Sequence, residues 1–223
     1  MNIENLIDNY LKKKKEQDDK DHSEYSGLIS ASMLGQCHRR QFYAIKKIEQ
    51  TNPPDDRTFR VFACGNVFHQ FIQDIAKKEI VCQEEVVFKD SLVSVRCDLL
   101  TDTEIYEFKS MHSKGFWYMQ DELKKGKSIL EIKPDHCLQL GLGAITFNRK
   151  IANLVYVSKD DLCIKQFTLN VNELAPLVYK ELLLVKTMLA VGVLPPPEPR
   201  LYSKDRECSY CNFRDRCKTE REV

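Results

Sequence analysis

Apolar residues change their spacing several times along the chain, and each change predicts an element. Ile3, Leu6, Ile7, Tyr10 and Leu11 recur at helical intervals before the run gives way to KKKKEQDDKD, so residues 1–26 predict a short helix passing into a charged, loosely docked arm. Ser30 stands where it can cap a helix reaching about Lys47, with Met33, Leu34, Cys37, Phe42, Tyr43 and Ile45 as its apolar positions and TNPPDD as its stop. A second helix over about 58–80 places Phe68, Phe71, Ile72 and Ile75 on one face, with His69 at the edge of that stripe. The spacing then drops to two through VCQEEVVF, SLVSVRCDLL and EIYEFKS, the signature of an antiparallel meander. Residues 111–133 read as loop and helix, and DHCLQLGLGAITF as a tightly packed helix. IANLVYVS and LCIKQFTL predict a hairpin across KDD, and 171–191 a long helix that tolerates Pro176 near its start. Beyond LPPPEPR, a stiff extended segment, lies a cysteine-rich tail. The fold class expected is α/β, a mixed sheet flanked by helices.

Composition narrows this picture. A chain of 223 residues with 43% hydrophobic and 30% charged content can bury one core and has no need of a second large domain. Lys and Arg number 34 against 33 for Asp and Glu, so any nucleic-acid contact has to come from a local patch. There is no run of about eighteen apolar residues, and the first thirty residues carry no apolar signal-type core; both point to a cytoplasmic protein. Nine cysteines under reducing conditions then suggest metal binding rather than disulfides.

Chemistry enters in VRCDLLTDTEIYEFKS. Alternation puts Glu107 and Lys109 side by side on one face of a strand, and Asp98 reaches that face from the strand before. Two carboxylates beside an ammonium in a sheet interior persist only when they are paired with each other or with an ion. Such a site suits Mg²⁺ or Mn²⁺, with the lysine placed to orient or deprotonate a water that attacks phosphorus. The plainer reading leaves Glu107 and Lys109 exposed on an edge strand and Asp98 in a turn. His69, in GNVFH, is either a core histidine or a third ligand. Gln139, an amide in an apolar run, bonds local backbone or reaches Lys109 or a phosphate.

Cys208, Cys211 and Cys217 form C-x2-C-x5-C, and Cys37 is the candidate fourth thiolate. Zinc and a [4Fe-4S] cluster both fit four thiolates. Cys64, Cys82, Cys97, Cys137 and Cys163 fall in patterned helices and strands and are expected to behave as small buried hydrophobes.

In this order, Cys37, His69, Asp98, Glu107-Phe108-Lys109, Gln139, Cys208, Cys211 and Cys217 resemble the iron-sulfur branch of the RecB-like PD-(D/E)XK nucleases. The likeness is strongest to the CRISPR-associated exonucleases of spacer acquisition and runs from about residue 28 to 218. It implies a nuclease domain over 27–200 and an iron-sulfur segment over 201–223, to which 28–47 contributes. It also implies metal ligation by His69, Asp98, Glu107 and the main-chain carbonyl of Phe108, with Lys109 as the catalytic lysine. The four cysteines would carry a structural [4Fe-4S] cluster, and the substrate would be single-stranded DNA, degraded commonly from the 5′ end and in some members cut internally. CRISPR integrase proteins are the partners it suggests. One departure stands out, because members often have a tyrosine four residues after the glutamine and this chain has Gly143.

KSMHSKGFWYMQDELKKGK interleaves lysines with aromatics, a combination suited to single strands, and Lys114, Trp117 and Tyr118 are the substrate-contact candidates. The alternative is a lid helix with Phe116 and Trp117 in the core. Arg60 can hold a phosphate or a carboxylate of the meander. Beside the DNA nuclease stand two competing readings, a non-catalytic DNA-binding or assembly subunit and a redox protein. A nuclease that processes DNA ends for a virus or mobile element fits the same residues.

Overall fold

Strand β3 (Val93–Leu100) organises the sheet, and its two edges are used differently. The structure, a computed structural model, describes residues 2–21, 27–200 and 204–220; the end of the expected arm (22–26) and parts of the tail (201–203 and 221–223) lie outside the described residues. Along one edge, β2 (Gln83–Lys89) runs antiparallel to β3 over nearly its whole length. The other edge is shared. Ser94 pairs with Ser30 of the two-residue strand β1 (Ile29–Ser30), while only Leu99 and Leu100 pair with β4 (Glu104–Met111). Between these contacts β3 and β4 diverge, leaving a fork beside residues 95–98. The expected meander therefore forms in order, but its second pairing is cut to two residue pairs.

From β4 the chain crosses through α4 (Ser113–Lys124), α5 (Ile129–Ile132) and α6 (Pro134–Thr146) to β5 (Ile151–Ser158), which pairs parallel to β4 over eight positions. That crossover makes β5 a central strand buried on both faces, consistent with an apolar run broken inside only by Asn153. The hairpin partner β6 (Ile164–Asn170) closes the far edge, and α7 (Val171–Val191) returns across the sheet. Pro176 lies inside α7 without ending it. On the face covered by α6 and α7, Leu140 and Leu174 pack with Ile105, Leu154 and Tyr156, and Leu138, Leu142 and Val178 with Val93 and Val95. The other face is covered by α3 (Asp56–Glu79), where Phe68, Ile72 and Ala76 lie on Leu99, Phe108, Val155 and Val157. Phe71 and Ile75, expected on the same stripe, are instead each 48% exposed.

Two expectations near the N-terminus need correction. The helix expected from Ser30 to Lys47 is split into β1, a 3-10 turn at Ala31–Met33 and α2 (His38–Ile45). Ser30 makes no cap; its Oγ meets Ser32 Oγ at 2.9 Å. The break is enforced at Gly35, whose φ of +81° is left-handed and where a Cβ would stand 2.9 Å from the Asp135 backbone. The charged arm is a helix for most of its length, α1 (Ile3–Asp21), laid against α3 through Lys12–Asp56 and Arg60–Glu4 ion pairs, both at 2.8 Å.

The tail returns to α2. Cys37 N–H donates to Glu207 at 3.1 Å, the Asn52 amide reaches the Asn212 carbonyl at 2.9 Å, and the Tyr43 and Phe213 rings lie 5.2 Å apart, so α8 (Lys204–Ser209) and α9 (Arg214–Thr219) are seated on the N-terminal segment. Buried Glu181 of α7 ties the same region together by accepting from His38 and Arg200. Paired so, its carboxyl is held down at about 2; burial alone would raise it, and the two donors outweigh that. Among the described residues no helix is long and apolar enough to cross a membrane.

Candidate active site

The fork explains how charges came to sit inside the sheet. Where β3 and β4 separate, the ladder is interrupted, and the Asp98 side chain replaces part of it by accepting from the Phe108 N–H at 2.6 Å. Regular alternation also fails here. Val93, Val95 and Cys97 face α6, whereas Leu99 turns toward α3 and Leu100 back toward α6. On β4 alternation holds, with Tyr106 and Phe108 packed on the α3 face and Ile105 on the other. Glu107 and Lys109 follow Ile105 toward α6.

There α6 supplies Gln139. Lys109 Nζ donates to Glu107 Oε1 at 2.6 Å and to Gln139 Oε1 at 3.0 Å, while Gln139 Nε2 donates to Glu107 Oε1 at 2.6 Å. The half-buried amide is satisfied by the two charged groups rather than by local backbone. His69 enters the fork from α3, its Nδ1 3.7 Å from Asp98 Oδ1 and its ring edge-on to Phe108. The edge-strand alternative does not hold, since Asp98 and Glu107 are only 6% and 4% exposed.

The electrostatics follow from burial. Desolvation pushes the Asp98 carboxyl up to about 6 against the opposing Phe108 N–H and Lys109 charge, and Glu107 up to about 7, with the Asp98 charge adding to the rise. Burial works against the Lys109 ammonium, but Glu107 and Asp98 together outweigh it and hold its pKa above the ordinary value. Burial lowers His69, leaving a neutral imidazole with a lone pair to give. Two buried carboxylates thus face one ammonium, and one negative charge lacks a partner. Hard oxygen donors with a neutral imidazole suit a divalent cation. Among the described residues, no three His, Cys, Asp or Glu side chains converge as tightly as a bound ion would draw them, so these donors are neighbours across the fork rather than a closed shell.

Two depressions meet at Lys109. One holds His69, Asp98, Glu107 and Gln139, together with Ser30, Ser32, Ser94 and Arg96, none of which the sequence pattern marked as a site residue. The other is a groove between α4 and the α5–α6 corner, lined by Lys114, Tyr118, Lys127, Lys133, His112 and His136. Lys114 and Tyr118 therefore share this groove with Lys109. Trp117 stands apart, half-exposed and edge-on to Phe116 at 5.8 Å, while Phe116 itself is core. Arg60 is occupied by Glu4 and by Asp8 at 3.4 Å on α1. His136 is kept neutral by burial and fixed by the Tyr156 hydroxyl at 2.7 Å.

Gly143 has a packing reason. A Cβ there would stand 2.9 Å from Ile105 Cδ1, so α6 lies too close to the sheet for a tyrosine. Cys37, Cys208, Cys211 and Cys217 line one cavity separate from these depressions, with Cys37 and Cys217 close enough to Cys211 for their charges to act on it. Of the remaining five cysteines, Cys97 and Cys137 are buried, and burial pushes each thiol up to about 12. Cys64 is exposed and Cys82 and Cys163 are half-buried, against the expectation that all five are core.

The fold, taken as a whole, matches solved structures. No protein-family model matches the chain, and no curated protein does. The crystal structure of SSO0001 superposes with a TM-score of 0.61 at 18% identity, covering 92% of this chain and 93% of that one. An alkaline exonuclease, LHK-Exo from Laribacter hongkongensis, superposes with a TM-score of 0.56 at 14% identity, covering 78% of this chain and 93% of the exonuclease. The chain shares the fold of an alkaline exonuclease. Within that exonuclease-like fold, the interrupted strand pair is the place where charged side chains are gathered without breaking the core.

Proposed function

We propose that this protein is a metal-dependent DNA nuclease acting on single strands, with exonuclease activity from the 5′ end and some capacity for internal cuts. The observation that carries the reading is the convergence of buried Asp98 and Glu107 with half-buried Lys109 at the fork, the ammonium bonded to both Glu107 and Gln139. Asp98, Glu107, His69 and the Phe108 carbonyl are the groups to hold a Mg²⁺ or Mn²⁺ ion, which when bound supplies Lewis acidity at the phosphate and at the attacking water.

The protein's own part is positioning and proton control. An ammonium has three N–H donors, and Lys109 spends two on Glu107 and Gln139. The third is left for the water or for a phosphate oxygen in the transition state. Gln139 restricts the direction of that third donor by bonding both Glu107 and Lys109. The groove beginning at Lys109 carries cations and Tyr118, and single strands combine stacking with phosphate contacts in such channels.

The all-thiol set of Cys37, Cys208, Cys211 and Cys217 suits a [4Fe-4S] cluster or zinc, and we assign the cluster, in a structural role. A cytoplasmic location accords with that assignment. Placement in spacer acquisition beside integrase proteins rests on the sequence resemblance alone. The test is a time course with Mn²⁺ on 5′-labelled linear and on circular single-stranded DNA. Linear strands are expected to release short 5′-labelled products early, with circles cut far more slowly. Equal persistence of both substrates with Mn²⁺ and with EDTA would refute the reading.

A further inference from the structure

An unusual backbone conformation lies directly across the sheet from the fork. Glu85 has φ +49°, left-handed backbone inside a strand at a residue other than glycine, in the stretch of β2 between the Glu84–Leu99 and Val86–Cys97 pairs. Such a conformation is strained and persists where its surroundings fix it. The fixing group is Gln73, 2% exposed on α3, whose Nε2 donates to Glu85 Oε1 and to the main-chain carbonyl of Asp98, both at 2.8 Å. Gln73 lies one helical turn beyond His69, so the same face of α3 reaches the backbone and the side chain of Asp98.

The second oxygen of Glu85 faces Arg96 Nε at 3.2 Å. Arg96 precedes Asp98 by two positions, lines the same depression as His69, Asp98, Glu107 and Lys109, and its charge acts on both Asp98 and His69. With its inner nitrogen turned to Glu85, the outer edge of the guanidinium remains for another acceptor, and its side chain is 60% exposed. A pocket holding two carboxylates repels a phosphodiester until cations balance it, and a planar fork of donors is the group suited to a phosphate.

We propose that Arg96 binds a backbone phosphate of the substrate in the active-site depression, with Glu85 and Gln73 as the positioning residues that aim it. This rests on the nuclease reading above and deepens it. The test uses the full-length protein and a labelled single-stranded oligonucleotide, measuring binding with Ca²⁺ over a series of salt concentrations and cleavage with Mn²⁺. Arg96→Ala is expected to raise KM about tenfold with kcat changed by less than about twofold. It is also expected to reduce the slope of log affinity against log salt by about 0.7, the loss of one phosphate contact. Glu85→Gln keeps the cation but loosens its aim, so KM rises while the salt slope stays as in the wild type. A thermal melt that does not move with Arg96→Ala separates binding from folding. Wild-type KM and salt slope in Arg96→Ala would overturn the proposal. A wild-type protein that binds but never cuts would sink the nuclease reading, while the salt slope still decides Arg96; one that neither binds nor cuts would sink both.

Discussion

Replacing Lys109 by methionine is expected to lower the cleavage rate by about 10³-fold or more, the scale of losing one group that stabilises charge or moves a proton in the transition state. That corresponds to about 4 kcal/mol of barrier. Methionine keeps most of the volume, so packing around α6 changes little. Removing the ammonium leaves Asp98 and Glu107 buried without a cation, which would be ruinous if both stayed charged. Their carboxyls, already pushed up to about 6 and about 7, can instead take up a proton near neutrality. The variant should therefore fold, with a circular dichroism spectrum like that of the wild type. It should also retain Mn²⁺ binding, because the oxygen donors remain. Loss of cleavage together with retained metal is the combination that places Lys109 in the chemistry. Cleavage at the wild-type rate would remove it from that role.

The second large effect is expected at the four-cysteine cavity, where Cys208→Ser should strip the proposed cluster and release the tail from the N-terminal segment. Cys37 and the three tail cysteines come from opposite ends of the described chain and line one cavity, so ligation there closes nearly the whole domain into a loop. Losing a cross-link over so long a loop costs about 3 kcal/mol or more, a fall of roughly 10 °C in Tm at about 2–4 °C per kcal/mol for a chain of this size. Iron content per chain, visible colour in anaerobic preparations and a thermal melt are the measurements. Expected are a brown wild type, a colourless variant and a lower Tm. A colourless wild type with one zinc per chain would replace iron with zinc, and an unchanged Tm on ligand loss would end the structural role.

Most long elements were legible because burial imposes a period. The core side of α6 and α7 and the largely apolar run of β5 follow directly from which residues meet the sheet. The site was legible in part for the same reason, since Glu107 and Lys109 stand out where alternation demands apolar side chains. What failed were features set by contacts distant in sequence. A two-residue strand has no period to read, so β1 was absorbed into a helix that Gly35 in fact interrupts. The exposed halves of Phe71 and Ile75 reflect how much of α3 the sheet covers, which spacing cannot reveal. Arg60 was read as a phosphate contact because its partners, Glu4 and Asp8, lie in a helix that had been read as a loosely docked arm. The fork itself was invisible, because Asp98 replaces a ladder hydrogen bond at a point where the sequence still reads as two ordinary strands.

The central claim is that an imidazole from α3 and two carboxylates from diverging strands share one divalent cation within reach of the Lys109 amine. Crystals grown with Mn²⁺ and measured near the manganese absorption edge test it most directly. The account predicts one strong anomalous peak in the fork, contacted by Asp98, Glu107 and His69, with Lys109 beside it. A map with manganese bound elsewhere on the protein and nothing between those side chains would contradict it.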